Sequence, residues 1–247
     1  MKRSQIVFFS LQTFLSWLIF LVIAIYLAAI IFALYSIKIY YRQRLKNIRP
    51  PYIIVSNHLT LIDSYFIGFA VAFPEMYWRP WRMPWHLPEQ RNYFRGLLVL
   101  IMWLSRAIPI IRGMAPRTQK KSLDKVVAIL NRKQSISIFL EGTRSRSGRV
   151  DRYTHGIGKI YLDVPNCTIL PVYHRGIENV LPIGVNMPRL FKKIDIVIGE
   201  PRKLTTEKQG YEAIADIARQ IFNILQEMEK EYFESGKYRA QEIIKQK

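Results

Sequence analysis

A histidine and an aspartate five positions apart, His58 and Asp63, are the residues of this chain whose types and spacing most directly suggest proton transfer. A carboxylate that holds one imidazole nitrogen leaves the other as a base near neutral pH. On an uninterrupted helix, positions five apart point to different faces, because helical neighbours lie three or four apart. The pair can therefore meet only if His58 stands at or before the first turn and folds back. The flanking sequence allows this. Tyr52-Ile53-Ile54-Val55-Ser56-Asn57 reads as a short buried strand, its Ser56 and Asn57 are turn and cap formers, and Asp63 falls inside the helix that follows.

Two further stretches carry groups suited to an anion. Ala107–Ile111 reads as a strand ending in Arg112-Gly113, where a guanidinium can grip a phosphate bidentately. The alternating Ser135–Leu140 reads as another strand, running into Glu141-Gly142-Thr143-Arg144-Ser145-Arg146-Ser147-Gly148. Glycine lets the backbone come close to a ligand, and the hydroxyls and arginines offer donors. Glu141 among arginines at a strand end is expensive to bury unless it is paired. The stretch is not a nucleotide-binding P-loop, because G-x-x-x-x-G-K-[ST] is absent.

The elements that must position these groups follow from periodicity. Ser64–Phe73 is apolar and helix-like, and Leu97–Leu104 reads as a buried helix. Thr118–Leu130 is an amphipathic helix with Leu123, Val126, Val127 and Leu130 inward. Asp195–Pro201 is a last strand ending in a turn, and the apolar residues from Tyr211 to Met228 fall at helical spacing. Phe73–His86, rich in Trp, Arg and Pro, reads either as a loop lying on a bilayer or as an aromatic loop packed on the domain. The sum predicts one α/β domain, with a mostly parallel or mixed central sheet flanked by helices.

Composition narrows the partners. The net charge of +19 and pI of about 10.1 imply an anionic partner: nucleic acid, lipid head groups or a phosphorylated substrate. From Arg79 to Lys159 there are 17 Lys and Arg against 4 acids, so the positive field is concentrated mid-chain. A single cysteine, Cys167, excludes an intrachain disulfide and a Cys-rich metal site. Ile6–Tyr41 has no acid, proline or glycine and only Lys38 charged, long enough for a bilayer span of ~20 residues. The expectation is an N-terminal membrane anchor over 1–45, with Trp17–Ile37 embedded, and a domain over 46–247. Lys38, Arg42, Arg44, Lys46 and Arg49 outnumber Lys2 and Arg3, which places that domain on the cytoplasmic side.

Together, Asn57-His58-(four residues)-Asp63 and Phe139-Leu140-Glu141-Gly142-Thr143-Arg144-Ser145 resemble the PlsC-type glycerolipid acyltransferases of the lysophospholipid acyltransferase superfamily. Ile108–Gly113 resembles the family's second block, with Arg112 at its phosphate-binding position. Ile169-Leu170-Pro171-Val172-Tyr173 resembles the fourth, whose proline helps shape the acceptor site. The resemblance covers Tyr52 to Leu204. It implies His58 and Asp63 as the catalytic pair, with Arg112, Glu141, Gly142, Thr143, Arg144 and Pro171 binding substrate.

The resemblance further implies a fatty acyl group passed from acyl-CoA or acyl carrier protein to a glycerol-phosphate lipid hydroxyl, with membrane lipids as partners. No metal or bound cofactor and no nucleic acid enter this reading. Subtype signals diverge. The Phe139–Gly148 stretch resembles glycerol-3-phosphate or dihydroxyacetone-phosphate acyltransferases, and Leu140 stands where usual members have proline. His155–Lys159, Val172-Tyr173-His174 and Asn179–Pro182 resemble tafazzin, a phospholipid–lysophospholipid transacylase. Charge alone would also fit a membrane-tethered polyanion binder. With neither a G-x-S-x-G elbow nor a candidate cysteine nucleophile, direct transfer without an acyl-enzyme is expected.

Overall fold

Tyr52–Ser56 (β2) is an unbroken buried strand, and the domain is assembled outward from it. The computed structural model describes residues 10–19, 33–93, 96, 98–111, 116–164, 166–238. Alternate residues of β2 feed two separate cores, as a period of two requires. Ile53 and Val55 join Val126, Ile129 and Leu130 of α5 (Pro116–Leu130), Ile160 of α6 (Gly156–Leu162) and Ile221 of α8 (Gly210–Glu234). Tyr52 and Ile54 join Phe66, Ile67 and Val71 of α2 (Asp63–Ala72) and Ile177 of α7 (Ile177–Val180). Helices α6 and α8 meet backbone to backbone at Gly158, where a Cβ would come within 2.1 Å of the Ile214 carbonyl oxygen.

The sheet has six strands in the order β1-β6-β5-β2-β4-β3. Besides β2 these are β1 (Ser36–Tyr40), β3 (Trp85–His86), β4 (Ile136–Phe139), β5 (Thr168–Arg175) and β6 (Lys193–Ile198). Strands β3, β4, β2 and β5 are parallel; β6 runs antiparallel to β5, and β1 parallel to β6. The sheet is therefore mixed, within the expected α/β class. Its polarity has one consequence for the site. Ser36 opposite Lys193 and the ends of β2, β4 and β5 all lie at the same end of the sheet.

Several expectations need correction. Ser36–Tyr40, assigned from hydropathy to the anchor, is a sheet strand, so the folded domain begins before residue 46. Its lone charge and apolar alternation suit an edge strand as well as a membrane span. Most of the remaining anchor, residues 1–9 and 20–32, lies outside the described residues. Among the described residues no helix is long and apolar enough to cross a membrane. Residues 10–19 form a helix (α1) tied to the domain by Gln12 Nε2 donating to the Trp103 carbonyl (2.7 Å) and Trp17 Nε1 to that of Tyr77 (2.8 Å).

Ala107–Ile111 is not a regular strand. Its residues make isolated bridges, Ala107 to His86 and Ile110 to Glu89. The aromatic loop divides: Trp78 and Trp81 are exposed, while Trp85 is buried in β3 with Arg106 over its ring. After the short helix α3 (Gln90–Tyr93), helix α4 (Leu98–Leu104), expected to be buried, buries Met102 but exposes Leu98, Val99, Leu100 and Ile101.

Candidate active site

His58 leaves the sheet at the carboxyl end of β2, and the residue before it fixes the corner. The Asn57 side-chain amide donates to the His174 carbonyl (3.0 Å), while its oxygen accepts the His174 N–H (3.0 Å). This pair of bonds acts as an extra rung between β2 and β5, with Asn57 and His174 both buried. His174 Nε2 donates to the Asn57 carbonyl (3.0 Å) and lies 3.7 Å from Asp63 Oδ2.

Asp63 occupies the first turn of α2, where the helix N-terminus favours a negative charge. Its Oδ2 accepts the His58 Nδ1–H (3.0 Å) and the backbone N–H groups of Leu59 (2.6 Å) and Thr60 (2.7 Å). The Thr60 hydroxyl donates to Oδ1 (2.5 Å). The tight loop across residues 58–63 is what lets positions five apart meet. Burial alone would raise the Asp63 carboxyl, but His174, His58 and Thr60 together hold it below the ordinary carboxylate range. An ionised Asp63 keeps the proton of His58 on Nδ1, so Nε2 bears the lone pair. The imidazole lies flat on Phe139, with ring centroids 3.9 Å apart and planes 6° apart.

The segment after β4 closes on His58 from the other side. Glu141 Oε1 accepts the His58 N–H (3.2 Å), and the Ser145 N–H donates to the His58 carbonyl (2.7 Å). Gly142 makes that return possible. Its φ is +70°, and an added Cβ would come within 3.0 Å of the Thr154 methyl. Burial pushes the Glu141 carboxyl up to about 8; the His58 N–H and Arg152 oppose the shift, while Asp151 and Glu229 add to it. Glu141 is thus paired with backbone rather than with an arginine, and is protonated for the most part at neutral pH.

A cavity of about 930 Å³ opens at this end of the sheet, within the size range of ligand sites. His58 lies on its wall. Thr143, Arg144, Arg146 and Arg152 line it too, as do the more apolar Leu87, Met102, Ala107, Phe139 and Ile183. His86 also contributes; burial and then nearby Arg106 lower its ring to about 4, so it is neutral at physiological pH. The cavity thus brings a base, several guanidinium groups and apolar wall into one space. Among the described residues no group of three or more His, Cys, Asp and Glu is arranged to hold a metal ion.

Of the residues singled out from sequence, His58, Thr143 and Arg144 line the cavity, and Asp63 hydrogen-bonds to His58. Glu141 and Gly142 stand behind His58 rather than on the cavity wall. Pro171 lies inside β5, paired in register with Val55 and accepting the Gly199 N–H (2.8 Å); it is not a lining residue. Arg112 lies outside the described residues. Sequence reasoning does not reach the backbone role of Ser145 or the Asn57–His174 rung. Ser145 and Asn57 both sit inside the motifs, but their bonds span 87 and 117 positions.

Comparison with known proteins gives a consistent result. The model of the Acyltransferase family matches residues 36–175, more than half of the chain. The chain is 22% identical over 172 residues to the chloroplastic 1-acyl-sn-glycerol-3-phosphate acyltransferase LPAT1 of Arabidopsis thaliana. That match covers 69% of this chain and 45% of the plant protein, so the chain spans less than half of that relative's length. The fold is similar to the crystal structure of the 1-acyl-sn-glycerophosphate acyltransferase PlsC from Thermotoga maritima. The TM-score is 0.50 at 18% identity, over 77% of this chain and 72% of that one. The family match begins at Ser36, the first residue of β1.

Proposed function

The chain belongs to the Acyltransferase family, and on that premise we propose that it transfers a fatty acyl group to the hydroxyl of a glycerol-phosphate lysolipid such as lysophosphatidic acid. The donor in this proposal is acyl-CoA or acyl carrier protein. The observation that carries it is His58, oriented by Asp63, on the wall of a cavity shared with Arg144, Arg146 and Arg152. In the proposed reaction His58 Nε2 takes the acceptor's hydroxyl proton as that oxygen attacks the thioester carbonyl. Asp63 stabilises the imidazolium so formed. The tetrahedral adduct then expels the thiolate, which receives the proton from the imidazolium. General-base assistance of this kind is typically worth about 10²–10⁴ in rate. The guanidinium groups bind the acceptor's phosphate and so bring its hydroxyl within reach of His58.

Membrane association is part of the proposal. The apolar sequence before Ser36 leads into the sheet at the end where the cavity opens, which brings the site close to any surface that sequence enters. Exposed Trp78 and Trp81 and the exposed face of α4 support contact with a lipid interface. The flanking basic residues favour a cytoplasmic domain.

The decisive experiment gives purified protein labelled acyl-CoA with lysophosphatidic acid, glycerol 3-phosphate or a dephosphorylated lysolipid. Transfer to lysophosphatidic acid, lost without the phosphate, is the expected result. Transfer from a labelled phospholipid without any thioester would instead favour the transacylase reading, which the likeness of Val172-Tyr173-His174 to tafazzin supports. Binding to every polyanion with no transfer would refute the enzyme proposal.

A further inference from the structure

The stretch from the end of α7 into the first residue of β6, Leu181–Lys193, contains three basic residues and no acid. It exposes four large apolar side chains: Ile183, Met187, Leu190 and Phe191, with Met187 and Phe191 each 77% exposed. Single exposed apolar residues are ordinary, but four within nine positions form a patch. The loop is held in place. Arg189 N–H donates to the Val180 carbonyl (2.8 Å), and Phe191 N–H to the Leu34 carbonyl (2.9 Å). Ser36 N–H donates in turn to the Lys192 carbonyl (3.1 Å). Leu34 is where the apolar N-terminal sequence reaches the described domain. Ile183, at the other end of the loop, lines the cavity that holds His58.

We infer that Leu181–Lys193 is a lipid-docking loop. Met187, Leu190 and Phe191 enter the interface of an anionic bilayer, Arg189, Lys192 and Lys193 meet its phosphates, and Ile183 borders the acceptor's path into the cavity. The inference rests on the membrane association proposed above and adds a contact independent of the N-terminal segment. Two observations select a bilayer as the occupant. The chain enters the domain from its apolar sequence beside Phe191, and the loop pairs apolar tips with positive charge alone, the combination that anionic lipid surfaces attract.

The test uses the full chain in nanodiscs of phosphatidylcholine with or without phosphatidylglycerol. Met187→Cys, in a Cys167→Ser background, carries an environment-sensitive fluorophore. The expected result is blue-shifted emission, quenched by brominated lipid and strengthened by phosphatidylglycerol. In parallel, the double variant Met187→Asp/Phe191→Asp should lower transfer to bilayer-borne lysophosphatidic acid by about tenfold. It should leave transfer to a short-chain, monomeric lysolipid unchanged. Water-like emission without quenching would overturn the inference, as would equal loss on both acceptors. A shift that follows the number of chains per disc, without lipid quenching, would assign the patch to a second copy and overturn it too. If no acceptor is turned over by the wild-type chain, the proposed transfer fails, while the fluorophore still decides whether the loop docks.

Discussion

The backbone of His58 is gripped on both sides by buried groups, whereas the arginines that line the same cavity lie at or near the surface of the loop after β4. Asp63, Asn57, His174, Glu141 and Ser145 are all buried around the histidine corner. Arg146 and Arg152 are exposed and Arg144 half-buried. In their loop, Arg152 donates to the Arg144 carbonyl (3.0 Å) and the Ser147 hydroxyl to Asp151 (2.7 Å), both at the surface. The difference is physical. A proton donor or acceptor must be placed to within a fraction of an ångström, so it is fixed by the core. A phosphate can be held by long charged side chains at a range of angles, so its site tolerates solvent and adjustment.

Substitutions should therefore divide sharply between the two regions. The largest effect belongs to Asp63→Asn, which keeps the volume but removes the charge that sets the His58 tautomer. Acyl-transfer kcat should fall by on the order of 10³–10⁴ with little change in KM; a loss under tenfold would show that the histidine needs no carboxylate. In the arginine loop, Arg144→Ala should raise the KM for a phosphorylated acceptor by about ten- to a hundredfold, as for a charge-assisted hydrogen bond. Its kcat should change much less. Equal effects on both parameters would erase the distinction between the regions.

Gly142→Ala tests the return of the chain behind His58. Its positive φ and the 3.0 Å approach to Thr154 predict a loss of about 1 kcal/mol or more in denaturant unfolding, with kcat reduced as the Glu141 and Ser145 contacts shift. A further effect concerns pH. Glu141 is raised from 4.5 to about 8 in the folded state, so its contribution to stability is fully present below pH 4.5. That contribution is lost as pH rises towards and through 8. Glu141→Gln should flatten the stability curve over that window, and an unchanged slope would place the buried charge elsewhere.

Much of the histidine corner was legible because its elements are local. An apolar strand, two turn formers and a His–Asp spacing that only a folded-back corner can satisfy lie within a dozen residues. The glycine and arginines after β4 were legible for the same reason. The partners that hold the corner were not, since Asn57 meets His174 and His58 meets Ser145 across long stretches of chain. Strand β1 was concealed by its setting, because Ser36–Tyr40 continues an apolar run and hydropathy cannot separate an edge strand from the end of a membrane segment. The reversal at β6 was likewise unreadable: a buried Ile-Val strand looks the same in either direction. In α4 the apolar sequence suggested burial, yet four of its side chains face outward. Hydrophobicity reports what avoids water and does not distinguish a protein interior from a lipid surface.

Chemical rescue of His58 puts the proposed base itself on trial. His58→Ala should retain the wild-type circular dichroism spectrum, lose acyl transfer by at least about 10²–10⁴, and recover part of it when imidazole is added. Transfer at the wild-type rate by His58→Ala, with no response to imidazole, would contradict the assignment of this side chain as the base.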